Sequence, residues 1–219
     1  MLALLFEVTP KPDAYQRYLD IAAGLRPALE KNEGFLFIDR FRSLVHSDTI
    51  LSHSLWRDEA ALAAWRTFEP HHHAQIRGRE EIFLDYRIRI AQVVHEEMPG
   101  KAAWQPARLT SYRDPAAHVP RVIVIATSVG EPCGTVSGAT PGTFESLNRP
   151  GEFLALYEVT DRDAALKLAG NLREHTAGGA ALGSVRICEV ERDYSMFDRH
   201  EAPQYYPPMP RADRTTVDR

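Results

Sequence analysis

The two halves of this chain repeat each other, and a repeat of this kind limits the possible folds more than any other feature of the sequence. The matching segments are residues 41–44 and 144–147, residues 58–62 and 162–166, Asp85-Tyr86 and Asp193-Tyr194, and the single residues His71 and His175. The matches keep one order and a nearly constant offset, about 103 residues for the first pair. We infer that the chain contains a duplicated structural unit.

Hydrophobic periodicity predicts the order β-α-β-β-α-β for the first unit. Strand patterns occupy residues 2–8, 35–41, 50–56 and 81–94, and helical spacing follows Pro12 and Asp58. Pro27 predicts a kink or break in the first helix near residues 23–26. This order is that of a ferredoxin-like unit, whose two helices cover only one face of its sheet. A tandem copy would supply the surface that covers the other face.

The second unit is predicted to be degenerate. Strand and helix patterns recur after residue 120, but the Gly- and Pro-rich residues 129–142 replace the first helix. We divide the chain into a ferredoxin-like domain at 1–95, a linker at 96–120, a degenerate second domain at 121–197 and an extended Pro-rich tail at 198–219. The predicted fold class is α+β: a ferredoxin-like α/β barrel made of two βαββαβ-type units, of which the second lacks its first helix.

Composition excludes several classes of protein. The chain has 219 residues, 44% of them hydrophobic and 26% charged, as in an ordinary globular protein, and its net charge of −4 does not favour nucleic acid or an anionic membrane. No apolar run approaches the ~18 residues of a membrane span, and the first residues lack the basic start of a signal peptide. We therefore expect a cytoplasmic protein. In that reducing compartment Cys133 and Cys188 are expected to be free thiols, although the sequence does not decide whether they pair.

Several short motifs resemble one known family. They are residues 34–36 (Gly-Phe-Leu), 41–44 (Phe-Arg-Ser-Leu), 55–60 (Leu-Trp-Arg-Asp-Glu-Ala), 64–66 (Ala-Trp-Arg) and 78–80 (Gly-Arg-Glu). Over about the first 95 residues the chain resembles the antibiotic biosynthesis monooxygenase family, small dimeric α/β-barrel proteins; the resemblance is faint over 120–197. The family includes cofactor-free oxygenases of polyphenolic substrates, haem-degrading enzymes and quinol oxygenases. The resemblance therefore implies a fold more strongly than it implies a reaction.

The same resemblance implies a set of site residues. Trp56 and Ser52 match a pocket-lining pair of the cofactor-free oxygenases, with Ser52 in place of an Asn. Leu62 stands where those enzymes have a tyrosine, and Arg77 is matched to a downstream arginine. Trp65 matches the tryptophan of the haem degraders, whereas Glu7 replaces their asparagine. We take Trp56 and Trp65 as catalytic candidates and Ser52, Leu62 and Arg77 as substrate-binding candidates.

The residues themselves leave alternatives open. Trp65 shares a helical stripe with Leu62, which is typical of a core residue, and Trp56 suits a core and a pocket equally. The run of histidines at 71–73 is typical of an exposed loop. If Pro70 begins a helix, however, the positive helix end disfavours imidazolium and leaves His71 as a neutral base near pH 7. Arg87 is either an ion-paired arginine or a group that faces the other half of the chain or an anionic ligand, and we keep it as a substrate-binding candidate.

Three functions follow as hypotheses. The first is a cofactor-independent monooxygenase that oxidises a small electron-rich aromatic, such as a dihydroxyaromatic, with O2; His71 would be the base and Ser52 an oxyanion donor. The second is a haem-binding or haem-degrading protein with a histidine of the 71–73 run as axial ligand. The third is a non-catalytic ligand-binding protein of the same fold. We expect a small aromatic molecule as partner, no nucleic acid or membrane, an intrachain pseudo-dimer, and a homodimer as a further possible assembly.

Overall fold

Eight antiparallel strands close into one barrel in the computed structural model, which describes residues 1–107, 121–175, 181–204 and 206–210. The strands are β1 (Leu2–Pro10), β2 (Phe35–Ser43), β3 (Ile50–Trp56), β4 (Phe83–Glu97), β5 (Val122–Val129), β6 (Gly142–Ser146), β7 (Glu152–Val159) and β8 (Ala181–Ser195). Their order around the barrel is β1-β3-β2-β6-β7-β5-β8-β4. The predicted α+β barrel with two units of four strands is therefore confirmed.

Four α-helices accompany the strands within the described residues. They are α1 (Tyr15–Leu29), α2 (Glu59–Thr67), α3 (Glu69–Arg77) and α4 (Arg162–His175), and a π-helical turn, Gly78–Ile82, joins α3 to β4. Asp58 caps α2 as predicted, because its carboxylate accepts a hydrogen bond of 2.9 Å from the amide of Ala61. No helix separates β5 from β6, so the second unit lacks its first helix, as expected.

The predicted break of the first helix is wrong. The helix runs without interruption from Tyr15 to Leu29 and contains Pro27 in its last turn. A proline removes the hydrogen bond to the carbonyl four residues earlier. Because Pro27 lies close to the end of the helix, the missing hydrogen bond is a single one, and the preceding turns remain intact.

Two seams join the halves of the chain. Strand β2 pairs with β6 over Phe41 to Ser43, and β4 pairs with β8 from Arg87 to Glu97. One chain thus closes the barrel. The interior is filled by apolar side chains from both units, among them Leu5, Leu51 and Ile125.

The outer faces of the two units are covered differently. Helices α1, α2 and α3 lie over the outer face of β1 to β4, where two further clusters of buried residues form. In the second unit only α4 covers the sheet, and Cys133 and Val136 of the loop after β5 fill the remaining space against Tyr157. The first unit keeps open space between its helices and its sheet, and this space is the site described below.

The two cysteines are free and buried. Cys188 belongs to the barrel interior and Cys133 to the outer cluster under α4. Burial raises the pKa of the Cys188 thiol to about 12, which keeps it protonated. Part of the predicted linker (108–120), residues 176–180, Tyr205 and the end of the predicted tail (211–219) lie outside the described residues. Among the helices that are described, none has the length and apolar content needed to cross a membrane.

We predict opposite effects of an added methyl group at two glycines. A Cβ at Gly34 would lie 2.1 Å from the Cβ of Ala61, where the start of β2 meets α2, whereas a Cβ at Gly24 in α1 would meet nothing within 4 Å. Gly34→Ala should lower the free energy of unfolding by about 1–3 kcal/mol through overpacking. Gly24→Ala should raise it by roughly 0.5–1 kcal/mol through helix propensity. Urea unfolding followed by circular dichroism measures both values, and equal stability of the two variants would contradict this account of the β2–α2 contact.

Candidate functional site

A pocket of about 220 Å³ lies between the outer face of the first unit's sheet and its three helices. The sheet side of the pocket is built by one row of paired residues, since Arg40 pairs with Ser52, Ser52 with Phe6, Phe6 with Ile88, and Ile88 with Tyr194. Side chains alternate along a strand, so residues in one such row project to the same face of the sheet. The last residue of the row comes from β8, and the second half of the chain therefore supplies part of the wall.

Five of the seven predicted site residues surround this pocket. They are His71, Trp56, Trp65, Ser52 and Leu62. Strand β3 contributes Ser52 and Trp56, which are four residues apart and therefore on one face of the strand. The helical residues come from α2 and α3. The motifs thus bring together side chains from a strand and from two helices that cover it.

His71 is held in one orientation on the wall. Its Nδ1 lies 2.9 Å from the carbonyl oxygen of Trp65, and its ring stacks on the Trp65 ring with 4.5 Å between the centroids. A carbonyl oxygen only accepts hydrogen bonds, and this one lies closer to Nδ1 than the Gln75 amide nitrogen does at 3.2 Å, so Nδ1 carries the proton and Nε2 keeps its lone pair. Burial lowers the pKa of His71 to about 4, against the opposing effect of the bond to Trp65. The residue is therefore neutral at neutral pH, as expected, with burial as the main cause.

Both tryptophans belong to the core and to the pocket wall. Trp56 is 1% exposed, and its indole N–H donates to the Ser54 hydroxyl at 2.9 Å, so its one polar group is satisfied inside the protein. Trp65 stacks on Phe68 as well as on His71. The core and pocket interpretations of these residues are therefore compatible.

Arg77 and Arg87 do not line the pocket. Arg77 is an exposed residue near the end of α3 and lies 3.6 Å from Glu81. Arg87 projects to the opposite side of β4 from the pocket residues and forms a two-point ion pair with Asp193 of β8. The surrounding carboxylates raise the pKa of Arg87 and keep it charged. Arg87 thus faces the other half of the chain, one of the alternatives considered above. Glu7, the matched position on β1, likewise faces away from the pocket and pairs with Arg89.

One polar group, of which the resemblance indicated only Ser52, lies on the sheet side of the pocket. The Tyr18 hydroxyl of α1 lies beside the side chains of Arg40 and Ser52. Burial raises the pKa of Tyr18 above its usual value, although Arg40 acts in the opposite direction. We call these three residues the Arg40 group. Arg40 follows Ile38 with alternate spacing in β2, which assigns both to the same face, but the sequence does not show that helices cover that face.

A second polar group lies where the C-terminal tail meets the pocket. The Tyr86 hydroxyl accepts hydrogen bonds of 3.1 Å from Arg79 and from Arg199. The ring of Tyr206 lies 5.6 Å from the central guanidinium carbon of each of these arginines, and Arg79 also donates to the carbonyl of Pro207. The tail is thus fixed against the wall by cation–π contacts and hydrogen bonds. Two sequence signals fall in this region, namely the repeated Asp-Tyr pair and the motif at 78–80, since Tyr86, Tyr194 and Arg79 line the pocket.

The charged side chains around the pocket are all basic. Four arginines line it, namely Arg40, Arg66, Arg79 and Arg199, and no aspartate or glutamate is among the described lining residues. The nearest ion pair of these arginines joins Arg66 to Glu59, with 3.6 Å between the charged atoms. Nε atoms of Arg40, Arg66 and Arg199 are buried without a hydrogen-bond partner in the described part of the chain. The pocket can therefore stabilise a negative charge on a bound molecule.

The chain is similar to known proteins in sequence and in fold. The chain is 29% identical over 228 residues to "Jasmonate monooxygenase ABM" of Pyricularia oryzae, an alignment that covers 95% of this chain and 99% of the relative. Among solved structures, an aldoxime dehydratase in complex with butyraldoxime has a TM-score of 0.55 at 9% identity, covering 89% of this chain and 81% of that one. At this identity the match shows a shared fold alone. An anthrone oxidase-like protein has a TM-score of 0.41 at 14% identity, covering 93% and 96%.

The first half of the chain also matches a family model. The match spans residues 1–77, which include β1 to α3 and all five predicted residues around the pocket, and the model describes the antibiotic biosynthesis monooxygenases. The family match and the full-length relative both indicate a monooxygenase-like function. Residues 1–77 therefore carry an antibiotic biosynthesis monooxygenase domain, which confirms the resemblance predicted from the motifs.

Proposed function

We propose that the chain is a cofactor-independent monooxygenase that oxidises a small electron-rich molecule with O2 in the pocket under α1 to α3. The observation that carries the proposal is the fixed orientation of His71, whose Nδ1–H is bound to the carbonyl of Trp65 so that Nε2 remains free to accept a proton. A positioned base of this kind typically accelerates a reaction by about 10²- to 10⁴-fold.

The proposed reaction begins with proton transfer. A substrate hydroxyl loses its proton to Nε2 of His71, and the electron-rich anion passes one electron to O2. The resulting substrate radical and superoxide combine to a peroxide anion at a ring carbon, and this anion takes the proton back from the His71 imidazolium to become a hydroperoxide. Loss of water from the peroxide breaks the O–O bond and leaves a carbonyl. The net change for a phenol is phenol plus O2 to quinone plus water, so the substrate supplies all four electrons and the reaction needs no external reductant.

The surroundings of His71 support this chemistry. With a pKa of about 4 the imidazole is a weak base in the empty pocket. A substrate anion formed beside it would stabilise the imidazolium, because opposite charges favour each other strongly where water is excluded. Arg66 lines the same pocket, and two of its buried nitrogens have no hydrogen-bond partner among the described residues, although one of them lies 3.6 Å from Glu59; we assign Arg66 to the developing anion. Trp56 and Trp65 provide flat apolar walls for the body of the substrate.

The substrate class is also part of the proposal. The aromatic walls support a small aromatic molecule, and about 220 Å³ suits a molecule of one or two rings. The relative's name includes jasmonate, a cyclic ketone with a carboxylic acid. The oxidation of an enolisable ketone balances in the same way as that of a phenol, because a CH2 group plus O2 gives a carbonyl plus water. Jasmonic acid therefore belongs beside dihydroxyaromatics in any substrate panel.

We predict that oxygen uptake depends on His71. With an active panel member, His71→Ala should lower kcat by about 10²- to 10⁴-fold, since the proton acceptor is lost. His73→Ala is the matched control, because His73 is an exposed residue of the same helix. An oxygen electrode measures the rates, and mass spectrometry with ¹⁸O2 measures the label in the product. Full activity of His71→Ala would refute the assignment of the base, and ligand binding without oxygen uptake would favour the non-catalytic binding protein.

The pH dependence should reflect the buried state of His71. Burial lowers its pKa to about 4 from the ordinary 6.5, so the basic form persists at neutral pH and is lost only as pH falls through about 4. We predict that kcat/KM stays constant below pH 6.5 and declines only near pH 4. Circular dichroism at each pH establishes that the protein is folded. A half-point near 6.5 would mean that the base is a solvated imidazole.

Haem binding, the competing hypothesis, does not fit the pocket. His71 offers one imidazole nitrogen as an axial ligand. The space of about 220 Å³, however, lies below the roughly 300–1,000 Å³ of pockets for drug-sized ligands, and a haem macrocycle is larger than such a ligand.

We therefore predict that haemin titration gives no saturable Soret shift. The measurement compares wild type with His71→Ala and with His73→Ala. His73→Ala is the control, because it also removes one imidazole but at an exposed position. A saturable shift that disappears in His71→Ala and persists in His73→Ala would establish haem ligation by His71 and overturn this conclusion.

A further inference from the structure

The Arg40 group has the composition of an anion-binding site. It comprises the guanidinium of Arg40, the hydroxyl of Ser52 on the paired position of β3, and the hydroxyl of Tyr18 on α1. Ser52 and Tyr18 are 5% and 7% exposed, and all three side chains line the pocket. A guanidinium with two adjacent hydroxyl groups offers several donors to the two oxygens of a carboxylate.

Arg40 retains donor capacity that the protein does not use. Its Nε is buried and has no hydrogen-bond partner within the described residues, where Arg40 also forms no ion pair. A buried donor without a partner is costly, and most buried polar groups in native proteins are paired. A ligand that accepts this N–H would remove the cost.

The nearest carboxylate along the chain is committed elsewhere. Asp39 projects to the opposite face of β2, where it accepts hydrogen bonds from Ser146, Asn148 and Arg149. These bonds lower the pKa of Asp39 despite its burial, so that it remains ionised and bound to them. Asp39 therefore does not supply a counter-ion to the pocket side of Arg40.

The sheet beyond the Arg40 group is apolar. The row that begins with Arg40 and Ser52 continues with Phe6 and Ile88, and Leu4 and Ile90 occupy the neighbouring row. A ligand held at Arg40 would therefore lay an apolar body on these residues. The arrangement thus fits a molecule with one anionic end and an apolar body.

We propose that the Arg40 group binds a carboxylate of the ligand, so that the pocket selects an apolar carboxylic acid over its neutral ester. The inference rests on the proposed function only because it concerns the same pocket. Arg40 is thereby assigned as the residue that determines specificity for the anionic end of the ligand. This role is separate from that of His71, the base. The carboxylate is a constant part of the ligand and does not react.

The test compares an acid with its ester in the full chain. Isothermal titration calorimetry at neutral pH measures the Kd of 1-naphthylacetic acid and of methyl 1-naphthylacetate. Wild type should bind the acid tighter by roughly tenfold or more, which corresponds to a charge-assisted hydrogen bond. Arg40→Gln should weaken binding of the acid until its Kd equals that of the ester, and it should leave the Kd of the ester unchanged. Arg40→Lys should retain part of the preference, because it keeps the charge without the planar pair of donors.

Arg42→Gln is the matched control. Arg42 lies two residues further along β2, is half exposed and pairs with Glu145, so its loss should leave both Kd values unchanged. Unaltered ester binding shows that the Arg40→Gln pocket is folded. The inference is overturned if wild type binds acid and ester with equal affinity or binds neither of them. It is also overturned if the preference for the acid survives in Arg40→Gln. Acid binding without oxygen uptake for any substrate would refute the proposed reaction alone.

Discussion

Strand β4 pairs with β1 on one side and with β8 on the other, and this double pairing joins the halves of the chain into one barrel. Ion pairs strengthen the β4–β8 seam, since Arg87 binds Asp193 through two hydrogen bonds. The same seam places Tyr194 beside Ile88 on the outer face and directs the chain after β8 towards Tyr86. The pocket therefore depends on a strand from the second unit, although its candidate base lies in the first.

The duplication produced two outer faces with different uses. In the second unit, Tyr157 is fully buried under α4, and its hydroxyl donates to the carbonyl of Gly134 in the loop that replaces a helix. In the first unit, three helices span the sheet and leave a space that no large side chain fills. Open apolar space costs packing energy, so a protein retains it mainly where a ligand occupies it. The outer face of the first unit thus keeps a pocket, whereas the loop after β5 packs against the corresponding face of the second unit.

Local patterns were sufficient for the strands and for the motif residues. The resemblance assigned Ser52 and Trp56 to the pocket, and their four-residue spacing places both on one face of β3. Residues whose role depends on distant partners could not be identified. Arg40 has the same alternation as a solvent-facing residue, and Arg199 and Tyr206 reach the pocket only because the tail folds back over it. A sequence pattern indicates which face a residue occupies, but not what covers that face.

The electrostatics of the pocket connect the two ends of the proposed site. Arginines without carboxylates raise the local potential, and this potential favours a bound anion at Arg40 and a developing anion near His71 alike. Burial at the same time keeps His71 neutral in the absence of a ligand. A carboxylate at Arg40 would partly offset the positive potential, and the imidazolium formed during proton transfer would then face less repulsion. Binding of an anionic ligand and basicity of His71 are therefore coupled through the charge of the pocket, without any contact between the two groups.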